Sequence, residues 1–246
     1  MLYYSQTGVT EKLALELQAQ LGADIEAIVA EQPYDGDFAT TLERCQNEMV
    51  AGIVPEVKPI KANIDDYDQI FLCYPIWCGT FAFPIGGLIK NESFAGKKVI
   101  TCSTFGSGGL QSTTRYLKEV LPQAEVIEGF GIRAARIDKL SEELNRFLIE
   151  HFFKEGEVEA LPAFMEHQPV TDAEKAVFDE ACADYQFPLG TPIDVAVREM
   201  DNVIDYEFYV EGINEYGNPF SATIYVTKDK VEGAKAEFTQ VIRNEI

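Results

Sequence analysis

Histidine is almost missing from this chain of 246 residues: His151 and His167 are the only two. They fall on a predicted helix end and in a predicted linker, which suits surface positions, and a site built on several imidazoles is excluded. Basic side chains are scarce as well, 20 against 41 acidic ones, for a formal net charge of -21. Such a surface repels phosphates and anionic lipids, which argues against nucleic-acid and membrane partners. The cysteines (Cys45, Cys73, Cys78, Cys102 and Cys182) are few, scattered and odd in number, so they do not form a disulfide framework. No second pair or nearby histidine completes a zinc set around Cys73 and Cys78. The start, Met1 to Tyr4, turns polar at once and lacks the regions of a signal peptide. One uncharged run, Ile70 to Ile89, is long enough to span a bilayer, but Pro75, Gly79, Pro84, Gly86 and Gly87 interrupt it. A buried strand, an apolar loop and a short helix are expected there, in a protein of a reducing, cytoplasmic setting.

What is present is an ordinary globular composition, 46% apolar and 25% charged, long enough for one medium domain and one small one. Strand-like and helix-like patterns alternate over residues 1–155. Leu2 to Tyr4 reads as a short strand, and Leu13, Ala14, Leu17 and Leu21 recur on one face of a helix that Gly22 stops. Asp24 to Val29 alternates as a second strand. Phe38 to Val50 reads as a helix with Leu42, Cys45 and Met49 inward. Ile70 to Cys73 and Val99 to Cys102 are continuous apolar runs, the signature of parallel strands buried on both faces. Gln111 to Leu121 is helical, Glu125 to Phe130 is a fifth strand, and Lys139 to Phe153 closes with a helix. This order predicts an α/β fold with a doubly wound parallel sheet. Residues 156–170 read as a linker. Residues 171–246 read as a small α+β domain: a helix over Thr171 to Tyr185, then strands at Ile193 to Glu199, Val203 to Val210, Phe220 to Thr227 and Ala236 to Ile242. A turn at Asn214 to Pro219 joins the second and third of these.

Three loops gather chemistry at the carboxyl edge of such a sheet, where ligands bind. The first, Ser5-Gln6-Thr7-Gly8-Val9-Thr10, puts hydroxyls and backbone N–H groups at a helix N-terminus, a phosphate site that needs no cation. The same residues also suit a plain helix start in which Thr7 or Thr10 is the N-cap. The second, Tyr74 to Thr80, holds the only tryptophan, Trp77, on which a planar ring could stack. The third, Ser103 to Gly109, is glycine-rich with hydroxyls and allows close backbone approach. Gly129, Gly131 and Ala134 fit the spacing of a dinucleotide fingerprint, but at the last strand rather than the first, so this is a decoy. Arg133 and Arg136 follow the fifth strand at the same edge, where they could meet an anionic substrate or cofactor, but read rather as solvated or paired with Asp138.

The Tyr3-Tyr4-Ser5-Gln6-Thr7-Gly8-Val9-Thr10 start and the Tyr74-Pro75-Ile76-Trp77 loop together resemble the flavodoxin family over about residues 1–155. The resemblance implies a five-stranded sheet of order 2-1-3-4-5 with FMN at the switch between strands one and three. It implies that Ser5, Gln6, Thr7, Gly8, Val9 and Thr10 hold the phosphate. Pro75, Ile76, Trp77, Cys78 and Gly79 would flank the flavin ring, and Thr104, Phe105, Gly106 and Gly108 would meet its pyrimidine edge. Many relatives carry a second aromatic where Cys78 stands, which leaves that side more open. The implied function is electron transfer to a redox partner protein or a small-molecule acceptor. An NAD(P)H-dependent FMN or quinone reductase and a non-redox interaction protein on the same scaffold are the alternatives.

The C-terminal domain resembles the cystatin type of α+β fold, without the inhibitory motif, since the corresponding stretch reads Arg198-Glu199-Met200-Asp201-Asn202. Partner docking or homodimer formation is expected of it. Residues 1–155 carry 22 acidic and 14 basic side chains, residues 156–246 carry 19 and 6, so most of the acidity lies in this smaller part.

Overall fold

Apolar runs and amphipathic helices alternate in the computed structural model, which describes residues 1–214 and 217–243. The chain divides into two units, Met1–Val158 and Glu159–Ile246. The first contains β1 (Leu2–Tyr3), α1 (Val9–Leu21), β2 (Glu26–Ala27), α2 (Phe38–Ala51), β3 (Gln69–Trp77), β4 (Thr80–Phe81), α3 (Phe83–Asn91), β5 (Lys98–Phe105), α4 (Leu110–Val120), β6 (Glu125–Arg133) and α5 (Leu140–Glu150). β2, β1, β3, β5 and β6 lie side by side in that order, all parallel, with β4 folded back antiparallel on β3. The doubly wound sheet of order 2-1-3-4-5 is therefore the observed one.

β3 shows why its sequence is an unbroken apolar run. Ile70, Leu72 and Tyr74 enter a core shared with Cys45 of α2, Ile85 and Leu88 of α3, and Leu117 of α4. Phe71 and Cys73, the alternate residues, enter the opposite core with Leu13 and Leu17 of α1 and Leu144 and Leu148 of α5. Helices cover both faces, so neither set of side chains reaches water.

Several elements differ from expectation. β2 is two residues long rather than six, because only Glu26 and Ala27 pair in register with β1. β3 and β5 run further toward their carboxyl ends than the apolar runs indicate, since ladder hydrogen bonds continue through Pro75 and Thr104. The inward face of α2 is Thr41, Cys45 and Glu48, while Met49 is half exposed and Leu42 only partly buried. The first glycine of the decoy motif is a bulge residue, whereas Gly131 pairs with Ser103: the β5–β6 register slips between Thr101 and Cys102, and a Cβ on Gly129 would lie 2.3 Å from the Thr101 carbonyl oxygen.

The second unit holds β7 (Gln168–Pro169), α6 (Asp172–Cys182), β8 (Thr191–Glu199), β9 (Val203–Ile213), β10 (Pro219–Asp229) and β11 (Ala236–Arg243). Its antiparallel sheet has the order β11-β10-β9-β8-β7. A capping box of Thr171 and Glu174 starts α6, which lays Phe178 edge-on against Phe208, 5.2 Å between centroids. The alternating residues Ala222, Ile224 and Val226 of β10 complete that buried face. Glu215 and Tyr216 of the predicted turn lie outside the described residues. The stretch read as a linker is built into this unit at its C-terminal end. Phe164 lies under the Arg198 guanidinium, 4.5 Å from its carbon, and Met165 N–H donates to Val197 O at 2.9 Å. His167 bridges the Asp194 and Glu207 carboxylates, and β7 adds a fifth strand.

Candidate functional site

β1, β3 and β5 all end at one edge of the first unit's sheet, and the three loops that follow them meet there. The first loop leads into α1, whose N-cap is Gly8 at φ 86 with no side-chain cap. Ser5 Oγ accepts from Gly8 N–H at 3.1 Å, and the helical ladder begins with Lys12 N–H to Gly8 O at 3.1 Å. The N–H groups of Val9, Thr10 and Glu11 precede that first helical bond, as at any helix start. By contrast α2 is capped by the Asp37 side chain, and α6 by Thr171.

Thr10 and Thr104 join the first loop to the third. Their hydroxyl oxygens are 2.6 Å apart, with Thr10 1% and Thr104 3% exposed. One hydroxyl donates to the other and the acceptor keeps its own proton to give. Thr7 is exposed at the tip of its loop, and Val9 is half-buried. Gln6 turns away, its amide donating to Thr41 Oγ1 at 2.7 Å and to Gly36 O at 3.3 Å. Glu11, in the first turn of α1, receives the Tyr3 hydroxyl at 3.0 Å.

The second loop is a tight hairpin rather than an open loop. Cys78 (φ 49) and Gly79 (φ 76) both take left-handed conformations between β3 and β4, as a two-residue turn with both central φ positive requires. Pro75 and Ile76 are half-buried at the end of β3, with Pro75 in register with Thr104. Trp77 packs edge-on against Tyr4, 5.5 Å and 88°, so this loop also abuts the first. Thr80 Oγ1 is buried with no hydrogen-bond partner. Burial raises the Cys78 thiol above its usual range, so it is not an activated nucleophile.

In the third loop the Phe105 ring is buried, its edge 2.8 Å from where a Cβ on Gly131 would sit. Gly106 is exposed and its carbonyl accepts from Arg133 Nε at 2.7 Å, while Gly108 is half-buried. Arg136 pairs with Glu143 at 2.5 Å.

The wall formed by α2 and the segment before it carries residues that sequence patterns missed. Tyr34, Thr41, Arg44, Cys45 and Glu48 all stand behind Gln6 or Trp77. Tyr34 lies 5.1 Å from Trp77, and the Arg44 guanidinium sits over the Tyr34 ring. Burial and the Glu48 carboxylate raise the Tyr34 phenol, and burial raises the Cys45 thiol to about 12, so both are neutral at pH 7. The one local hint was a Glu, four residues after Arg44, on the inward side of an amphipathic helix.

The flavodoxin family profile matches residues 1–147. The chain belongs to the flavodoxin family. Among solved structures, a candidate flavoprotein from Bacteroides eggerthii is 29% identical with a TM-score of 0.50, covering 59% of this chain and 94% of that one. A second, from Bacteroides uniformis, is 23% identical with a TM-score of 0.52, covering 58% and 95%. A flavoprotein in complex with FMN from Lactobacillus acidophilus is 26% identical, at a TM-score of 0.45, covering 57% and 95%. No curated protein matches the chain. The family match ends before the second unit begins, so the flavodoxin assignment concerns the first unit alone. Among the described residues no helix is long and apolar enough to cross a membrane, and no cluster of three or more His, Cys, Asp or Glu could hold a metal ion.

Proposed function

We propose that this flavodoxin-family protein binds FMN at the three loops and passes electrons to a redox partner protein or a small-molecule acceptor. One observation carries the reading. The converging loops, residues 5–10, 74–80 and 103–109, contain no carboxylate, amine, guanidinium or imidazole. Its remaining titratable groups, the fully buried Tyr74 phenol and the Cys78 thiol raised by burial, are not poised for acid–base work on a substrate, and electron transfer needs none. When bound, FMN supplies the redox chemistry through its ring.

The residues present fit that cofactor. The uncapped start of α1 offers Val9, Thr10 and Glu11 N–H groups to a phosphate, and Gly8 lets the backbone approach without a side chain in the way. Ser5 and Thr7 complete the phosphate loop, to which Gln6 gives only its backbone because its side chain is bonded to Thr41 and Gly36. The Thr10–Thr104 hydroxyl pair fixes the spacing between this loop and the next, and leaves one proton to donate. Pro75 to Gly79 form an apolar wall in which Trp77 covers a ring face, and the unpartnered Thr80 hydroxyl provides a polar group beside it. The backbone of Thr104, Phe105, Gly106 and Gly108 borders the opposite edge. The loops themselves carry no cation, so negative charge gained on reduction is met by backbone N–H and hydroxyl dipoles, with the Arg133 guanidinium bonded to the Gly106 carbonyl at the edge of the third loop.

The visible spectrum of the purified full-length protein, with FMN titration and photoreduction, tests this reading. Stoichiometric FMN uptake and reversible reduction without steady-state NAD(P)H oxidation are expected. Colourless protein that takes up no FMN refutes the cofactor, and rapid NAD(P)H turnover with quinones replaces the carrier by a reductase. The second unit, with its helix on an antiparallel sheet and its acidic excess, is in this reading a docking module for a basic partner, whose binding weakens steeply with salt.

A further inference from the structure

Trp77 is held from behind by two tyrosines, one at the start of the first loop and one in the segment before α2 that belongs to none of the three loops. Its ring meets Tyr4 at 5.5 Å and 88°, and Tyr34 at 5.1 Å and 56°. Tyr34 is itself clamped. The Arg44 guanidinium carbon lies 3.6 Å from the centre of its ring, and its hydroxyl donates to Glu48 Oε2 at 2.5 Å. The other Glu48 oxygen accepts from Arg44 Nε at 2.8 Å. Arg44 also donates to the carbonyls of Pro33 and Gln32, at 2.8 and 3.3 Å, so the guanidinium is anchored to the segment that carries Tyr34.

This array is an expensive way to fill space. Glu48 is 8% exposed and its partner Arg44 only partly buried, so the carboxylate is desolvated at a cost that a partly exposed guanidinium only partly offsets. Its geometric effect is definite: Tyr34 is pinned at its hydroxyl and on one face, so the position it presents to Trp77 is fixed. Trp77 needs such backing, because it ends β3 immediately before the two left-handed residues of an exposed hairpin turn. Cys45, one helical turn before Glu48, is a neighbour of the Cys78 thiol in that same turn. A ring fixed in advance loses less conformational freedom when a ligand stacks on it.

We infer that Tyr34, clamped by Arg44 and Glu48, is a positioning residue that sets the Trp77 ring for flavin stacking before the cofactor arrives. The inference rests on the FMN reading above, and its test separates the two. Trp77 is the only tryptophan, so the emission of the flavin-free full-length protein has one source. Tyr34→Leu is expected to shift that emission to the red, to raise quenching by acrylamide about twofold, and to weaken FMN binding about tenfold through lost ring packing and preorganisation. Tyr34→Phe keeps the ring and recovers most of both effects. Arg44→Gln, at a partly exposed side chain, moves them in the same direction by a smaller factor, and it carries the comparison if circular dichroism shows Tyr34→Leu to be unfolded. Unchanged emission and quenching in a folded Tyr34→Leu protein overturn the proposal. So does altered emission with an FMN affinity within twofold of the parent. A parent protein that binds no FMN instead removes the flavin reading, and the emission of the variants still decides whether Tyr34 holds Trp77.

Discussion

The Thr10–Thr104 pair makes a sharp prediction about how the first and third loops are tied. Both side chains are almost fully buried and their hydroxyl oxygens are 2.6 Å apart. Replacing either by valine keeps the shape, and threonine and valine have similar helix propensities, so the backbone cost at Thr10 in α1 cancels. What remains is the other hydroxyl, buried without its partner, at about 1–3 kcal/mol. Thr10→Val and Thr104→Val should therefore each destabilise the first unit by about that much. The double variant, in which both polar groups are gone, should cost less than either single change. Urea titration followed by Trp77 emission reads the first unit selectively, because that residue lies within it. With a slope of about 2 kcal/mol per molar urea, each single variant should move the midpoint down by roughly 0.5–1.5 M. A double variant whose loss equals the sum of the two single losses would refute the shared hydrogen bond and, with it, the account of how the loops are held together.

Three further outcomes follow from the same geometry. Glu11 lies in the first turn of α1 and competes for the positive end of its dipole, so Glu11→Gln should tighten FMN binding by roughly two- to fivefold at low salt, read by fluorescence titration, and unchanged or weaker binding counts against phosphate at this terminus. His167 is held between Asp194 and Glu207; burial opposes its charge, but hydrogen bonds and attraction to the two carboxylates outweigh it and raise the imidazole above its ordinary 6.5. Its stabilising effect is complete below the unfolded value and is lost as pH rises through the raised folded one, so amide protection factors (exchange relative to the intrinsic rate at each pH) along residues 164–168 should fall there in the parent and not in His167→Gln. An NMR titration midpoint at or below 6.5 contradicts this. Asp205 accepts from Nε and Nη2 of Arg198, at 3.0 and 2.6 Å, and from the Thr227 hydroxyl at 2.8 Å. Asp205→Ala should cost the second unit about 1–3 kcal/mol, seen as a lower thermal midpoint, and an unshifted midpoint removes that network from the account of its stability.

Much of the first unit was legible because its signals are local. A strand buried on both faces must be apolar at every position, which marks Ile70 to Cys73 and Val99 to Cys102 wherever they lie in the chain. The 3.6-residue period of Leu13, Leu17 and Leu21 likewise marks α1. The ends were less legible. β2 shrank to Glu26 and Ala27, and β3 ran on through Trp77, because hydrogen bonding to a neighbouring strand decides where a strand stops. The linker was misread at its C-terminal end for a related reason. Nothing local in Phe164, Met165 or His167 places them against a sheet, and their positions depend on Arg198, Val197, Asp194 and Glu207.

The sequence by itself determined that this is an acidic protein with an alternating α/β unit, a smaller unit after it, and three uncharged loops able to hold a phosphate and a flat ring. Only the tertiary structure decided which side chains of those loops face one another. Thr10 and Thr104 are 94 residues apart and share one hydrogen bond. The inward face of α2 turned out to be Thr41, Cys45 and Glu48 because Gln6, Cys78 and Tyr34 wait there to pair with them. Periodicity reports how often a helix meets the core, and it reads polar residues as outward. Whether a buried carboxylate or hydroxyl is tolerated depends on a partner that the folded sheet, and nothing nearer in the chain, brings within hydrogen-bonding distance.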